Sequence, residues 1–484
     1  PPRSTLFPYT TLFRSVHSGK GVGSSGRDSM KSPLKIYHEW KQDKSLGEVI
    51  KNTGYMVTSN TASTGLTFVQ GMLAAIILGP VEYGLLGMIV SFASNVNRLL
   101  SFRMGELVVK FGGEYLEKKE IERAAAVIKF AGLAEIITSF VAYLLLIVLA
   151  PWAAQVILKE PTIARWIIIY GTALLANFMT ETSTAILQIG DQFRRLAVLN
   201  FLQSLLTAIW IIILFFTKGD LIQVLFAYLA GKFLYGSGIF LLSIKTTREL
   251  LGTNWWNAKL NILEDKKGLI KFAFSTNISS TLNLVIRDSE VLLVGFFLSP
   301  LYAGYYKFSV AVINAVILPV SQFITVTYPQ INKKIISKQW KDLKRLLRGT
   351  STIAFVWIIL CFIGLVIFGE WLLSFVKGGA YIPSLPYIYV LMIGYGFASV
   401  FFWNRNLLLS FNLPDLPIKI MAIVGGIKTI LMFILVPKFG YLMQAGLLSS
   451  YFIVSIGVMV YLGLKKISFE EKVAFVNADS CNNN

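Results

Sequence analysis

The residues best placed to do chemistry are charges set inside long apolar runs. Arg287, Asp288 and Glu290 fall within about one helical turn of the stretch 268–298. A charge at the bilayer centre costs about 2.5–3.5 kcal/mol on insertion scales, so three facing lipid would cost roughly 8–10 kcal/mol. They are expected to face inward. Asn283, Arg287 and Glu290 recur at i, i+4 and i+7, with Asn277, Thr281 and Asp288 as the adjacent stripe. Leu282, Val285 and Leu293 take the opposite face. Arginine suits phosphate because its planar fork bonds two oxygens at once, so an excess of basic groups within the runs implies an anionic cargo. Arg98, Glu181, Lys232 and Lys307 also lie deep in apolar runs and are read as lining a cavity, with ion pairs between helices as the alternative. Arg103, Glu106, Lys129, Lys271 and Arg405 lie near the inner ends of runs, where the basic ones can snorkel.

Several chemistries are disfavoured. The two cysteines, Cys361 and Cys481, and the two histidines, His17 and His38, form no cluster, so no metal site is expected. No G-x-x-x-x-G-K-[ST] segment occurs, which argues against ATP hydrolysis on this chain. No long outer loop is available for the carboxylate pair of a glycosyltransferase. The net charge of +19 could suggest nucleic acid, but the basic residues sit mostly in short loops between apolar runs. No nucleic-acid partner, cofactor or enzymatic activity is expected.

The elements that must position these groups are membrane helices. The chain is 55% hydrophobic and only 15% charged, with mean hydropathy +0.64; soluble domains carry about 25% charged residues. Stretches long enough to cross a bilayer occur at 56–79, 84–105, 124–150, 163–190, 193–216 and 221–244. Six more follow at 268–298, 303–328, 350–368, 383–409, 417–436 and 441–463. Basic residues crowd the loops on one side, over 106–123, 245–268 and 329–349. The other side carries only Lys159, Lys218, Lys377 and Lys438, with Arg165 at the edge of a span. That asymmetry places both termini in the cytoplasm.

The chain also repeats itself. Leu78-Gly-Pro-Val-Glu-Tyr-Gly84 joins the first two spans, and Leu298-Ser-Pro-Leu-Tyr-Ala-Gly304 joins the seventh and eighth, at an offset of 220. The expectation is an all-α integral membrane protein of about 12 helices, in two pseudo-symmetric six-helix bundles around a central cavity. At that offset Thr67 and Gln70 in the first span stand where Arg287 and Glu290 stand in the seventh, so two polar faces are expected to meet across the cavity. The expected divisions are a leader, 1–29, a cytoplasmic segment, 30–55, and a first bundle, 56–244. A linker, 245–267, a second bundle, 268–463, and a cytoplasmic tail, 464–484, complete it. The linker sets Trp255-Trp256 among lysines, as a headgroup-level segment would. The leader holds two near-duplicate pieces, Arg3–Tyr9 and Tyr9–Ser15, that resemble translated sequencing-adapter sequence; Met30 is the expected start.

Leu78-Gly-Pro-x-x-Tyr-Gly84 followed by Ser91-Phe92 resembles the first hairpin of polysaccharide-biosynthesis proteins. Phe102-Arg-Met-Gly-Glu-Leu-Val-Val-Lys110, Gly113-Glu-Tyr-Leu116, Glu181-Thr-Ser-Thr184, Gln188 to Arg194, and Ala227-Tyr-Leu-Ala-Gly-Lys232 extend the likeness over roughly 45–465. The chain is similar to the O-antigen and oligosaccharide flippases of the multidrug/oligosaccharidyl-lipid/polysaccharide exporter superfamily. The resemblance implies movement of a polyprenyl-pyrophosphate-linked oligosaccharide across the cytoplasmic membrane of a prokaryote. It also implies contact with membrane lipid and polysaccharide-assembly proteins. In relatives, cavity arginines are thought to engage the pyrophosphate; Arg287 and Arg98 are the counterparts by location. Lys232, Lys307, Asn283, Thr67 and Gln70 join them as substrate-binding candidates. Asp288, Glu290 and Glu181 are candidates for ion pairing or for coupling H+ or Na+. A drug or cation antiporter of the same superfamily is the competing reading, kept open by those three carboxylates. An integral-membrane glycosyltransferase or ligase is a third.

Overall fold

The computed structural model describes residues 44–101, 103–263, 268–269 and 281–482. The leader 1–29, Lys271 and Asn277 lie outside them. Among the described residues every regular element is helical. Apolar runs of this length become helices because hydrocarbon offers no partner to a backbone N–H or C=O, so each must be bonded within its own segment.

Ten helical segments are long and apolar enough to cross a membrane among the described residues. The first, Thr58–Leu100, passes through Gly79, whose φ of 75° and ψ of 175° are not helical. A glycine is required there, because a side chain at that φ is strained. Pro80 starts the second arm. Each arm suffices for one crossing of about 20 residues, so this segment holds both of the first two expected spans. Of the seventh expected span the structure describes 268–269 and 281–298, and this stretch is not among the ten.

The first lobe comprises α1 (Lys44–Leu100), α2 (Ile121–Trp152), α3 (Ala164–Ala176), α4 (Thr180–Ile189), α5 (Phe193–Thr217) and α6 (Leu221–Leu251). The second comprises α7 (Glu290–Phe297), α8 (Pro300–Ile336), α9 (Trp340–Ser374), α10 (Leu385–Val400), α11 (Asn404–Ser410), α12 (Asp415–Phe439) and α13 (Tyr441–Asn482). Asp220 caps α6 by accepting from the Gln223 N–H at 2.8 Å, while Gln223 returns a bond to the Asp220 N–H. The segment between the lobes folds back on the first: Lys129 Nζ donates to the Ala258 carbonyl at 3.2 Å and lies 5.6 Å from the Trp256 ring.

The two lobes meet in a seam built from the repeated Gly-Pro motifs. A Cβ at Gly84 would fall on the Pro300 carbonyl, and a Cβ at Gly304 would fall on the Pro80 carbonyl. The same pair of positions, 220 apart, touches reciprocally, as two-fold symmetry demands. Lys377 Nζ, donating to the Ile77 carbonyl at 2.6 Å, and Tyr381 Oη, donating to that of Ala75 at 3.1 Å, flank it.

The symmetry extends to a feature that hydropathy does not reveal. The fourth span of each half is broken. One break runs over 177–179, between α3 and α4, and the other over 401–403, between α10 and α11.

Candidate functional site

Away from the Gly-Pro seam the lobes separate around a cavity of about 680 Å³. Its polar wall comes from three places. The end of α1 and the turn after it supply Asn97, Arg98, Ser101 and Arg103. The residues just past the two helix breaks supply Glu181, Asn404 and Arg405. The seventh span supplies Asn283, Arg287 and Asp288. Tyr451, Phe452 and Ser455 of α13 close the far side. Four guanidiniums thus face two carboxylates, and the site carries an excess of positive charge.

The seventh span is not a plain α-helix where it meets the cavity. Leu284–Asp288 form a π turn, and such turns concentrate at functional sites. Arg287 lies 5.8 Å from the rings of both Tyr395 and Phe452, within cation–π range. It has no ion pair among the described residues. Its neighbour Asp288 reaches across the lobes to pair with Arg98. One turn away, Asn95 Nδ2 donates to Ser289 Oγ at 3.0 Å. The lobes are therefore latched at the cavity wall by α1 and the π turn.

On the opposite wall Glu181 Oε1 accepts from Ser101 Oγ at 3.2 Å. Behind it sits Glu135, buried, with its two carboxylate oxygens accepting the N–H groups of Glu181 and Thr182 at 2.8 and 2.9 Å. Those N–H groups belong to the first turn of α4 and have no partner inside the helix. A carboxylate at the positive end of a helix is the arrangement that the helix dipole favours. Glu135 is what permits the fourth span to break there.

Among the sequence candidates, the cavity brings together Arg287, Arg98, Asn283, Asp288 and Glu181. It also includes Arg103 and Arg405, which their positions near helix ends had marked for snorkelling. In the structure Arg405 follows the break in the second half as Glu181 follows the break in the first.

Glu290 is placed elsewhere. It is 1% exposed inside the second lobe, paired with Lys428 of α12 and accepting from Gln444 Nε2 of α13. The reason is the π turn: it takes up about one extra residue, which rotates everything after it by about 100° relative to a regular helix. Gln70 is likewise buried within the first lobe, where its Nε2 donates to the Ser204 carbonyl at 2.7 Å. Thr67 spends its hydroxyl on the Ser63 carbonyl of its own helix at 2.8 Å. The first span has no π turn, so the offset of 220 preserves sequence register there but not the facing of side chains. Lys307 lies at the interface nearer the seam, with Nζ 4.2 Å from the Tyr83 ring and its stem over Gly87. Lys232 is exposed on the α6 face that also carries the buried Leu225, Leu229, Gly236 and Ile239. Neither lysine lines the 680 Å³ cavity.

Comparison with known proteins adds three findings. The family model described as "Polysaccharide biosynthesis protein" matches residues 49–334. "Inner membrane protein YghQ" of Escherichia coli (strain K12) is 24% identical over 296 residues, covering 60% of this chain and 82% of that protein. Among solved structures, an inward-facing multidrug resistance MATE family transporter of the MOP superfamily superposes with a TM-score of 0.66 at 13% identity, covering 85% of this chain and 96% of its own. Lipid II flippase MurJ in an inward closed conformation gives 0.63 at 15% identity, covering 87% and 90%. An outward-facing MATE transporter gives 0.53. At these identities the structural likenesses show a shared two-lobed fold.

Proposed function

This chain belongs to the polysaccharide biosynthesis protein family, and from that premise we propose that it is a flippase for a polyprenyl-pyrophosphate-linked oligosaccharide. It moves that lipid across the cytoplasmic membrane by alternating access, with both termini in the cytoplasm. The reading is carried by one observation: a cavity between two lobes has four guanidiniums against two carboxylates, with Arg287 held between aromatic rings and not by a carboxylate. A guanidinium at bilayer depth is costly without an anionic partner, and the pyrophosphate supplies one. The cavity lies toward the basic loops while the Gly-Pro seam is closed, which is the state that would receive cargo from the cytoplasm. The Arg98–Asp288 pair would compete with the cargo for Arg98, so that binding loosens the contact between lobes. Glu181 and Asp288 are the groups through which proton or sodium movement would be coupled. The protein performs no bond chemistry in this scheme and needs no cofactor; polysaccharide-assembly proteins are its expected neighbours.

The antiporter reading draws on Asp288, Glu290 and Glu181, but Glu290 is paired away with Lys428 and a cationic drug entering this cavity would meet the arginine excess. The test is genetic complementation of glycan export. Arg287→Ala should abolish export at normal protein abundance, and Arg287→Lys should restore little because it lacks the two-oxygen fork. Full export by Arg287→Ala at normal abundance would remove this residue from the mechanism.

A further inference from the structure

The π turn that carries Arg287 is held from behind by α12. The turn is closed by the Ser289 N–H bonding the Leu284 carbonyl at 3.0 Å. Inside it, Ile286 is gripped on two sides. Its side chain fills the space that a Cβ would take at Gly425. Its carbonyl accepts a hydrogen bond from Lys428 Nζ at 2.9 Å. Gly425 and Lys428 are three residues apart and share one face of α12. The same ammonium pairs with Glu290, and the pair is 3% and 1% exposed. Gln444, wholly buried, completes the cluster by donating to Glu290. None of these groups lines the cavity.

A buried ion pair is a poor way to gain stability, because apolar residues of similar volume often serve as well or better. A lysine whose only duty was to neutralise Glu290 would also have no need of a backbone carbonyl beside Arg287. We propose that Lys428, with Gly425, is a positioning residue for the cargo site. It fixes the Ile286 carbonyl and hence the π turn, and the turn aims the next residue, Arg287, between Tyr395 and Phe452 into the cavity. The proposal rests on the reading that Arg287 meets the pyrophosphate.

The test is binding of farnesyl pyrophosphate to the purified full-length protein. Lys428→Met combined with Glu290→Gln removes both buried charges together and leaves none unpaired. Gly425→Ala leaves the ion pair intact and displaces Ile286. Each should weaken binding roughly tenfold, as loss of a charge-assisted contact does, while melting temperature and gel-filtration profile stay near wild type. Adding Arg287→Ala to either should cause little further loss, because both perturbations act through that one side chain. Unchanged affinity in Gly425→Ala, or losses that simply add to that of Arg287→Ala, would overturn the proposal. If the charge-free double variant does not fold, the Gly425→Ala arm decides alone. Failure of the wild-type protein to bind farnesyl pyrophosphate would instead bring down the flippase reading, and this inference with it.

Discussion

Replacing Gly84 by alanine should drive the protein out of the conformation described above. The new methyl group would overlap the Pro300 carbonyl and lie 2.7 Å from the Gly304 nitrogen. Both are backbone atoms, so no change of rotamer relieves the clash. Ordinary contacts begin near 3.4 Å, so the lobes must part at the seam by on the order of 1 Å. Overpacking of this kind costs about 1–3 kcal/mol, which lowers the closed-seam population roughly 5- to 150-fold relative to the open one. Gly304→Ala meets the Pro80 carbonyl in the same way and should act alike. Gly65→Ala, with nothing within 4 Å of its Cβ, is the control. The assay places Asn97→Cys, half-buried on the cavity wall, in a chain whose native cysteines are replaced by serine. Intact cells are then exposed to a membrane-impermeant maleimide. Labelling should rise for Gly84→Ala and Gly304→Ala and stay at the wild-type level for Gly65→Ala. Wild-type labelling together with full glycan export in Gly84→Ala, at normal abundance, would refute the assignment of the seam as the outer closure.

Two further outcomes are expected. Reporter fusions at Leu260 and at the C-terminus should both read cytoplasmic, because the loop-charge asymmetry requires it; an external signal at either would break the twelve-span topology. Glu135→Ala should lower the melting temperature by an amount corresponding to about 1–3 kcal/mol, since it leaves two N–H groups of α4 unbonded. Glu135→Gln, which keeps one acceptor oxygen, should recover part of the loss in a fluorescence-detected thermal shift, and a wild-type melting curve for the alanine variant would contradict the capping role.

The large-scale arrangement was legible because its causes are local and repeated. Spans follow from run length, and the offset of 220 between the two Gly-Pro motifs was enough to imply a pseudo-two-fold axis, since each glycine lies against the proline of the other copy. The cavity residues Arg98, Asn283, Arg287, Asp288 and Glu181 were legible because a charge or amide inside an apolar run has few places to go. The breaks at 177–179 and 401–403 were not. Neither Asn177-Phe-Met179 nor Phe401-Phe-Trp403 contains glycine or proline, and hydropathy runs on through them. At 177–179 the support is tertiary, the Glu135 carboxylate of α2 accepting the N–H groups just past the break. The facing of Glu290 was hidden for a related reason: nothing in Leu284–Asp288 announces a π turn, yet one extra residue there moves Glu290 from the cavity stripe to Lys428 and Gln444.

The glycine seam also bears on how fast the lobes part. Interlocked side chains must find new rotamers before two surfaces can separate, and that search adds to an activation barrier. At Gly84 and Gly304 the surfaces in contact are main chain against main chain, with no rotamers to rearrange. What resists opening at those two glycines is lost dispersion contact and the wetting of a small area, and beside them the hydrogen bonds from Lys377 and Tyr381 must also break. A closure whose centre holds by fit has only the two flanking hydrogen bonds to release, so turnover should be limited at the cavity end, where Asp288 must let go of the charged Arg98.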